Sequence, residues 1–192
     1  CTDCRNYWQE YRSGTLNDNE IKDIQSELCP TGGTCMVMGT ASTMACLSEA
    51  LGLMLPGGAT SASGSGERLR HAVSTGRRAA YLAKNPIRPR DILTEASFRN
   101  AITVLMALGG STNAIIHLLA MARRADIPLN LRDFDRISQQ TPLLVNCKPS
   151  GKFWLEDMHH AGGIPALLSN LSSKLDLQVQ LATGDTLETR LS

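Results

Sequence analysis

Pro30-Thr31-Gly32-Gly33-Thr34-Cys35-Met36-Val37-Met38-Gly39-Thr40-Ala41-Ser42-Thr43-Met44 is a glycine-rich loop that carries one cysteine and runs straight into a helical pattern. Gly32, Gly33 and Gly39 permit positive φ and close approach of backbone to a ligand, and Thr40 or Ser42 is of the type that caps a helix start. The first turn of a helix leaves N–H groups free, and those groups with the helix dipole favour an anion or a thiolate. These surroundings suit Cys35 as a low-pKa metal ligand, with an inert thiol the other reading that the residues alone leave open. The helix spans Thr40 to Leu55, with Met44, Leu47, Leu51 and Met54 on one face and Pro56-Gly57-Gly58 ending it. Met36, Met38, Met44 and Met54 read as core filler rather than sulfur ligands.

With 192 residues and 42% hydrophobic content, the chain can bury one good core. A net charge of +1 and 4% aromatic residues argue against a nucleic-acid surface. Apolar runs are broken well short of a membrane span and no signal peptide opens the chain, so a cytoplasmic protein without membrane contact is expected. The six cysteines, at 1, 4, 29, 35, 46 and 147, are too scattered for a disulfide scaffold and read as reduced thiols. Cys1-Thr2-Asp3-Cys4 has CxxC spacing without a second CxxC to complete a zinc site. Cys46 and Cys147 fall in apolar patterns and read as core, which leaves Cys29 as the competitor of Cys35.

Along the chain, Asn6 to Arg12 and Asp18 to Leu28 carry helical patterns, the second capped by Asn17 or Asp18 with Ile21, Ile24 and Leu28 on one face. Residues 59–66 are small and polar, suited to a flexible linker or a closing loop. Glu67 to Lys84 follows as an amphipathic helix with a solvated basic face. Asp91 or Thr94 can cap a helix with Phe98, Ile102, Leu105 and Met106 inward, which Gly109-Gly110 stops. Ser111-Thr112-Asn113 opens the next helix, gathering hydroxyls, an amide and free N–H groups. That set suits a carboxylate or sugar-acid hydroxyl, and equally a plain capped turn. His117 reads as a hydrogen-bonded core residue. Leu131 to Gln139 reads as a helix, Leu143-Leu144-Val145 as a short buried strand, and Lys148-Pro149-Ser150-Gly151-Lys152 as a basic loop at its carboxyl end. Trp154 to His160 and Ile164 to Leu175 read as helices about a turn at Ala161-Gly162-Gly163, and His159-His160 lacks the spacing of a metal pair.

Gly33-Thr34-Cys35-Met36-Val37-Met38-Gly39-Thr40-Ala41-Ser42-Thr43-Met44 with Glu49-Ala50-Leu51-Gly52-Leu53 resembles the iron–sulfur dihydroxy-acid and sugar-acid dehydratase family. Two further blocks resemble family motifs in the same order: Gly109-Gly110-Ser111-Thr112-Asn113-Ala114 with His117-Leu118, and Pro149-Ser150-Gly151-Lys152 followed by Ala161-Gly162-Gly163. The Thr-Cys-Met loop resembles the aldonate-type branch more than the branched-chain amino-acid branch. The stretch around Ser65 to Arg68 departs from the acidic and paired basic residues that the family often has there.

The resemblance implies that residues 1–192 are one partial domain, the later part of a dehydratase N-terminal domain without the C-terminal domain. Its fold would be a helix-rich α/β body with a short, mostly parallel sheet. The implied activity is a hydro-lyase that converts a 2,3-dihydroxy acid to a 2-oxo-3-deoxy acid. An iron–sulfur cluster, 2Fe–2S in preference to 4Fe–4S, would act on the C3 hydroxyl, and Mg²⁺ ligated from outside this chain would hold the carboxylate and C2 oxygen. Cys35 matches one of the cluster's three cysteine ligands, which settles it over Cys29. Thr34, Ser111, Thr112 and Asn113 would line the substrate pocket. No base or acid is visible, so the chain alone should be inactive, its partners being a small sugar or dihydroxy acid, the remaining dehydratase segments and a second copy in a homo-oligomer. A non-catalytic helical binding module is the alternative.

Overall fold

The computed structural model describes residues 2–28 and 32–192, and Cys1, Cys29, Pro30 and Thr31 lie outside it. The CxxC pair and the competitor cysteine therefore fall partly or wholly outside the described residues. Eleven α-helices form among the described residues: α1 (Thr2–Arg12), α2 (Asp18–Glu27), α3 (Thr40–Ala50), α4 (Gly66–Lys84), α5 (Pro89–Ile92), α6 (Glu95–Leu108), α7 (Asn113–Arg124), α8 (Leu131–Gln140), α9 (Leu155–His160), α10 (Gly163–Asn170) and α11 (Leu187–Leu191). Local chemistry sets several starts. The Asn17 side chain accepts from the Asn19 and Glu20 amides while Glu20 answers the Asn17 amide, a reciprocal cap, and Thr94 with Ser97 does the same for α6.

α6 is the centre of the body. Phe98, Ala101, Ile102, Val104, Leu105 and Leu108 are buried along it, so it is apolar on nearly every side and packs between α3 and α8. From α3 come Cys46, Leu47, Ala50 and Leu51, and from α7 Ala114, Leu118 and Ala122. Phe134 and Ile137 of α8 face inward as their spacing predicts, and the four methionines pack on or in this core. Asn100, buried within α6, donates from Nδ2 to the Asp176 carbonyl at 2.8 Å and accepts the Asp176 amide at 2.9 Å, which fixes the C-terminal segment.

The short sheet does not form among the described residues. Among the described residues there are only two isolated bridges, a parallel one between Cys147 and Phe153 and an antiparallel one between Gln180 and Thr186. The expected strand 143–145 instead lies across the end of α6, where the Leu144 and Val145 amides both donate to the Ala107 carbonyl. Leu143 and Leu144 are exposed rather than buried. A strand needs a neighbouring extended segment to pair with, and a helix carbonyl satisfies the amides but offers no ladder.

Two helix expectations and one for a linker also change. α3 ends at Ala50, five residues short of Leu55, because Gly52 turns the chain at φ +85°, where a Cβ would stand 2.9 Å from Leu181 Cδ2 and 3.3 Å from Ile92 Cγ2. The last long helix stops at Asn170, followed by a single 3₁₀ turn at Ser172–Lys174. Within 59–66, Ala59, Thr60 and Ser61 are buried and Ser65 caps α4 through the Arg68 amide, so the segment is packed rather than a free linker. α4 itself buries no residue, and its basic side chains are partly engaged: Arg68 donates to the Gly58 carbonyl at 2.7 Å and Arg78 to the Ala182 carbonyl at 2.6 Å. No helix among the described residues is long and apolar enough to cross a membrane.

Candidate functional site

Thr34 and Cys35 are exposed on the loop before α3, while Val37 and Met38 just beyond them are buried. The loop is held from two directions. Its buried end pairs with the 148–155 segment, the Met38 amide donating to the Lys148 carbonyl at 2.7 Å and the Leu155 amide to the Met36 carbonyl at 2.8 Å. From the helix side, the buried Ser42 hydroxyl lies 2.9 Å from both the Cys35 and the Val37 carbonyl oxygens. Farther out, the Ser63 hydroxyl donates to the Gly32 carbonyl. The basic loop 148–152 is thereby a neighbour of the cysteine loop, and the Lys148 ammonium lies 3.7 Å from the centre of the Trp154 ring.

Neither Thr40 nor Ser42 caps α3. Gly39 occupies the cap position without a side-chain bond, and Thr40 is the first helical residue. The Thr40 hydroxyl points instead to the turn after α6, lying 3.0 Å from Ser111 Oγ and accepting from Asn113 Nδ2 at 2.9 Å. Thr43, fully buried one residue beyond Ser42, accepts the Ser111 amide at 3.0 Å. Gly109 closes α6 in the left-handed conformation at φ +58°, which brings Gly110 against the Thr43 side chain. The structure thus gathers the start of α3, Ser111 and Asn113 into one hydrogen-bonded group. Thr112 stays exposed at the start of α7, without a capping bond.

The other cysteines divide as expected where they are described. Cys46 is sealed in the core, where burial above all, then the Glu49 and Cys147 charges, pushes its thiol up to about 12. Cys147 is also buried, and burial followed by Asp157 raises its thiol from the ordinary value. Both are poor thiolates, whereas Cys35 is open to solvent. Among the described residues no three of His, Cys, Asp and Glu converge as a metal site. His117 is exposed on α7, not in the core, because the apolar stripe Ala114, Leu118 and Ala122 turns it outward.

Sequence reasoning missed a second polar group. His159 lies with Nδ1 2.9 Å from Thr60 Oγ1 and Nε2 3.0 Å from Glu67 Oε2, joining α9 to the start of α4. Beside it the buried Glu49 accepts the Gly57 amide at 2.6 Å and the Ala59 amide at 3.0 Å. Burial raises the Glu49 carboxyl, opposed by those two N–H donors and by His159. A histidine 92 positions from Glu67 and farther still from Glu49 leaves no sequence spacing to find.

The chain matches along residues 1–190 the family model described as dihydroxy-acid/6-phosphogluconate dehydratase N-terminal. The dihydroxy-acid dehydratase of Solidesulfovibrio magneticus is 43% identical over 185 residues, covering 95% of this chain and 33% of that protein. That of Methanospirillum hungatei is 44% identical over 163 residues, 85% of this chain and 30% of its own length. That of Sulfurisphaera tokodaii is 44% identical over 177 residues, 92% and 31%. The chain spans about a third of the length of these curated relatives. It belongs to the dihydroxy-acid/6-phosphogluconate dehydratase N-terminal family.

Proposed function

We propose that this chain is the later part of the N-terminal domain of a hydro-lyase that dehydrates a 2,3-dihydroxy acid to a 2-oxo-3-deoxy acid. Cys35 supplies one thiolate of an iron–sulfur cluster, 2Fe–2S rather than 4Fe–4S, and the remaining cluster and Mg²⁺ ligands come from outside this chain. One exposed thiol on a loop whose Cys35, Met36 and Val37 carbonyls are already bonded fits a single ligand position of a three-cysteine cluster. When bound, the cluster and Mg²⁺ provide Lewis-acid chemistry at the C3 hydroxyl and the carboxylate end. The chain's own contribution is to hold Cys35 and to present Thr34, Ser111, Thr112 and Asn113 to the acid. Ser111 and Asn113 are fixed by Thr40, and the exposed Thr112 hydroxyl is free to meet a substrate oxygen.

The observation that carries this reading is the 3.0 Å hydrogen bond between Thr40 and Ser111. It seats the turn that suits an anion against the helix whose preceding loop bears Cys35. The Thr-Cys-Met loop favours a sugar acid, a pentonate or hexonate, over a branched-chain dihydroxy acid, although the relatives compared above are named dihydroxy-acid dehydratases. The complete enzyme works on this small molecule in the cytoplasm as a homo-oligomer. The test is iron and sulfide reconstitution of the full-length polypeptide that contains this segment. Charge-transfer absorption that disappears in Cys35→Ser supports the reading, and no iron uptake favours a non-catalytic helical module. Turnover of the reconstituted enzyme with pentonates, hexonates and a branched-chain dihydroxy acid decides the substrate.

A further inference from the structure

We propose that the first turn of α3 is a bracket in which two adjacent side chains hold the two halves of the site, Ser42 positioning the Cys35 loop and Thr43 positioning the Ser111 turn. The inference rests on the cluster reading above and adds two positioning residues to it. Serine inside a helix ordinarily returns its hydroxyl to the carbonyl four residues back, as Ser48 does to Met44 at 2.9 Å. Ser42 and Thr43 do otherwise. Ser42 reaches out of the helix to carbonyls five and seven residues earlier, those of Val37 and Cys35. Thr43 accepts a backbone amide from a turn 68 residues later. Both are buried, at 1% and 0% exposure, so neither hydroxyl has water as an alternative partner. Successive helical residues project about 100° apart, so one rigid turn can address both sides at once.

The packing supports the same division. A side chain at Gly110 would place its Cβ 2.7 Å from Thr43 Cγ2, so the turn lies against Thr43 with no room for a methyl group. The cysteine loop touches Ser42 and the 148–155 segment instead. The two contacts can therefore be cut separately.

The experiment uses the full-length dehydratase polypeptide containing this segment, loaded with iron and sulfide, in parent form and as Ser42→Ala, Ser42→Thr, Thr43→Val and Thr43→Ser. Visible absorption and circular dichroism, the rate of iron release to a chelator, and kcat and KM are recorded. Losing one buried hydrogen bond is worth roughly a five- to tenfold effect. Ser42→Ala should release iron about that much faster with an altered visible spectrum and a KM within about twofold of the parent. Thr43→Val should raise KM by a similar factor with iron release and spectrum unchanged. Ser42→Thr and Thr43→Ser keep the hydroxyls and should behave as the parent. A purely structural role would lower thermal stability in both variants while moving neither the spectrum nor the KM, and that result overturns the bracket. So does a Ser42→Ala enzyme that releases iron at the parent rate while Cys35→Ala takes up none. Full iron content in Cys35→Ala is the distinguishable failure, because it refutes the cluster reading beneath the proposal.

Discussion

Gly110→Ala tests how tightly the turn after α6 is seated on α3. Gly110 lies outside the left-handed region, so alanine is compatible with its backbone and any cost must come from contact. Its Cβ would stand 2.7 Å from Thr43 Cγ2, 2.8 Å from Leu105 Cδ1 and 3.1 Å from Thr43 Oγ1. Thr43 is fully buried and Leu105 is 3% exposed, so neither has open space to move into. Overpacking of this kind costs about 1–3 kcal/mol. A turn pushed away from α3 also lengthens the 3.0 Å bond from the Ser111 amide to Thr43, worth about 1 kcal/mol more. Restricting the unfolded chain returns roughly 0.4–1 kcal/mol. The net is a loss of about 2 kcal/mol, or a fall in Tm of about 4–8 °C at this chain length. Thermal and urea unfolding followed by circular dichroism measure it. Thr43→Ser removes Cγ2 and keeps Oγ1, so the double variant should recover part of the loss, with a coupling of about 0.5–1.5 kcal/mol. Strict additivity of the two substitutions, or a Gly110→Ala protein as stable as the parent, would refute the close seating.

Glu49 should leave a signature in the pH dependence of stability. Burial holds its folded carboxyl above the ordinary 4.5, so between that value and the raised one the folded state carries the extra proton. Its contribution is fully present below 4.5 and is lost as pH rises through the folded value; the urea midpoint of the parent should lose its advantage over Glu49→Gln on going from pH 4.5 towards neutrality, and an advantage that grows over that range would refute the assignment. Thr112→Val should lower turnover of the full-length enzyme without changing its iron content, because this exposed hydroxyl makes no cap and its loss leaves α7 intact; unchanged kinetics on every acid tested would reduce the turn to structure. The 192-residue chain supplied with iron and Mg²⁺ should form no 2-oxo acid, since groups acting as a unit lose nearly all activity when one is missing; turnover above a Cys35→Ala control would contradict this. Exposed Leu69, Val73, Ile116 and Leu143 should make the same chain self-associate, which a measured mass in solution decides.

What was legible in the sequence was whatever repeats locally. The Phe98–Ile102–Leu105 stripe marks α6, the cap candidate Asn17 marks the start of α2, and Gly109 marks the end of α6, because each signal and its consequence lie within one or two turns. The strand at 143–145 failed for the opposite reason. Three apolar residues say that a segment avoids water, but whether they form a strand depends on a partner elsewhere, and here the partner is the carbonyl of Ala107. His117 failed similarly, since its neighbours Ile115 and Ile116 are apolar yet the buried stripe of α7 runs through Ala114 and Leu118.

The site divides along the same line. Cys35 and the Ser111–Asn113 turn could be singled out as candidates because glycine-rich segments beside helix starts are local motifs. The side chains that join them were not: Thr40, Ser42 and Thr43 carry hydroxyls that every helix start could spend on its own amides. Their long-range use became visible only with Ser111 placed 68 residues from Thr43 and 71 from Thr40. Apolar packing of α3 on α6 brings the two turns to the same end of the body, but it is tolerant of small slips along the helix axis. Hydrogen bonds of 2.9–3.0 Å made by the buried Ser42 and Thr43 hydroxyls tolerate far less, since a shift of half an ångström leaves those hydroxyls without their partners. The core therefore determines that the cysteine loop and the Ser111 turn lie at the same end of α3, and the three hydroxyls of one helical turn determine how closely each is held there.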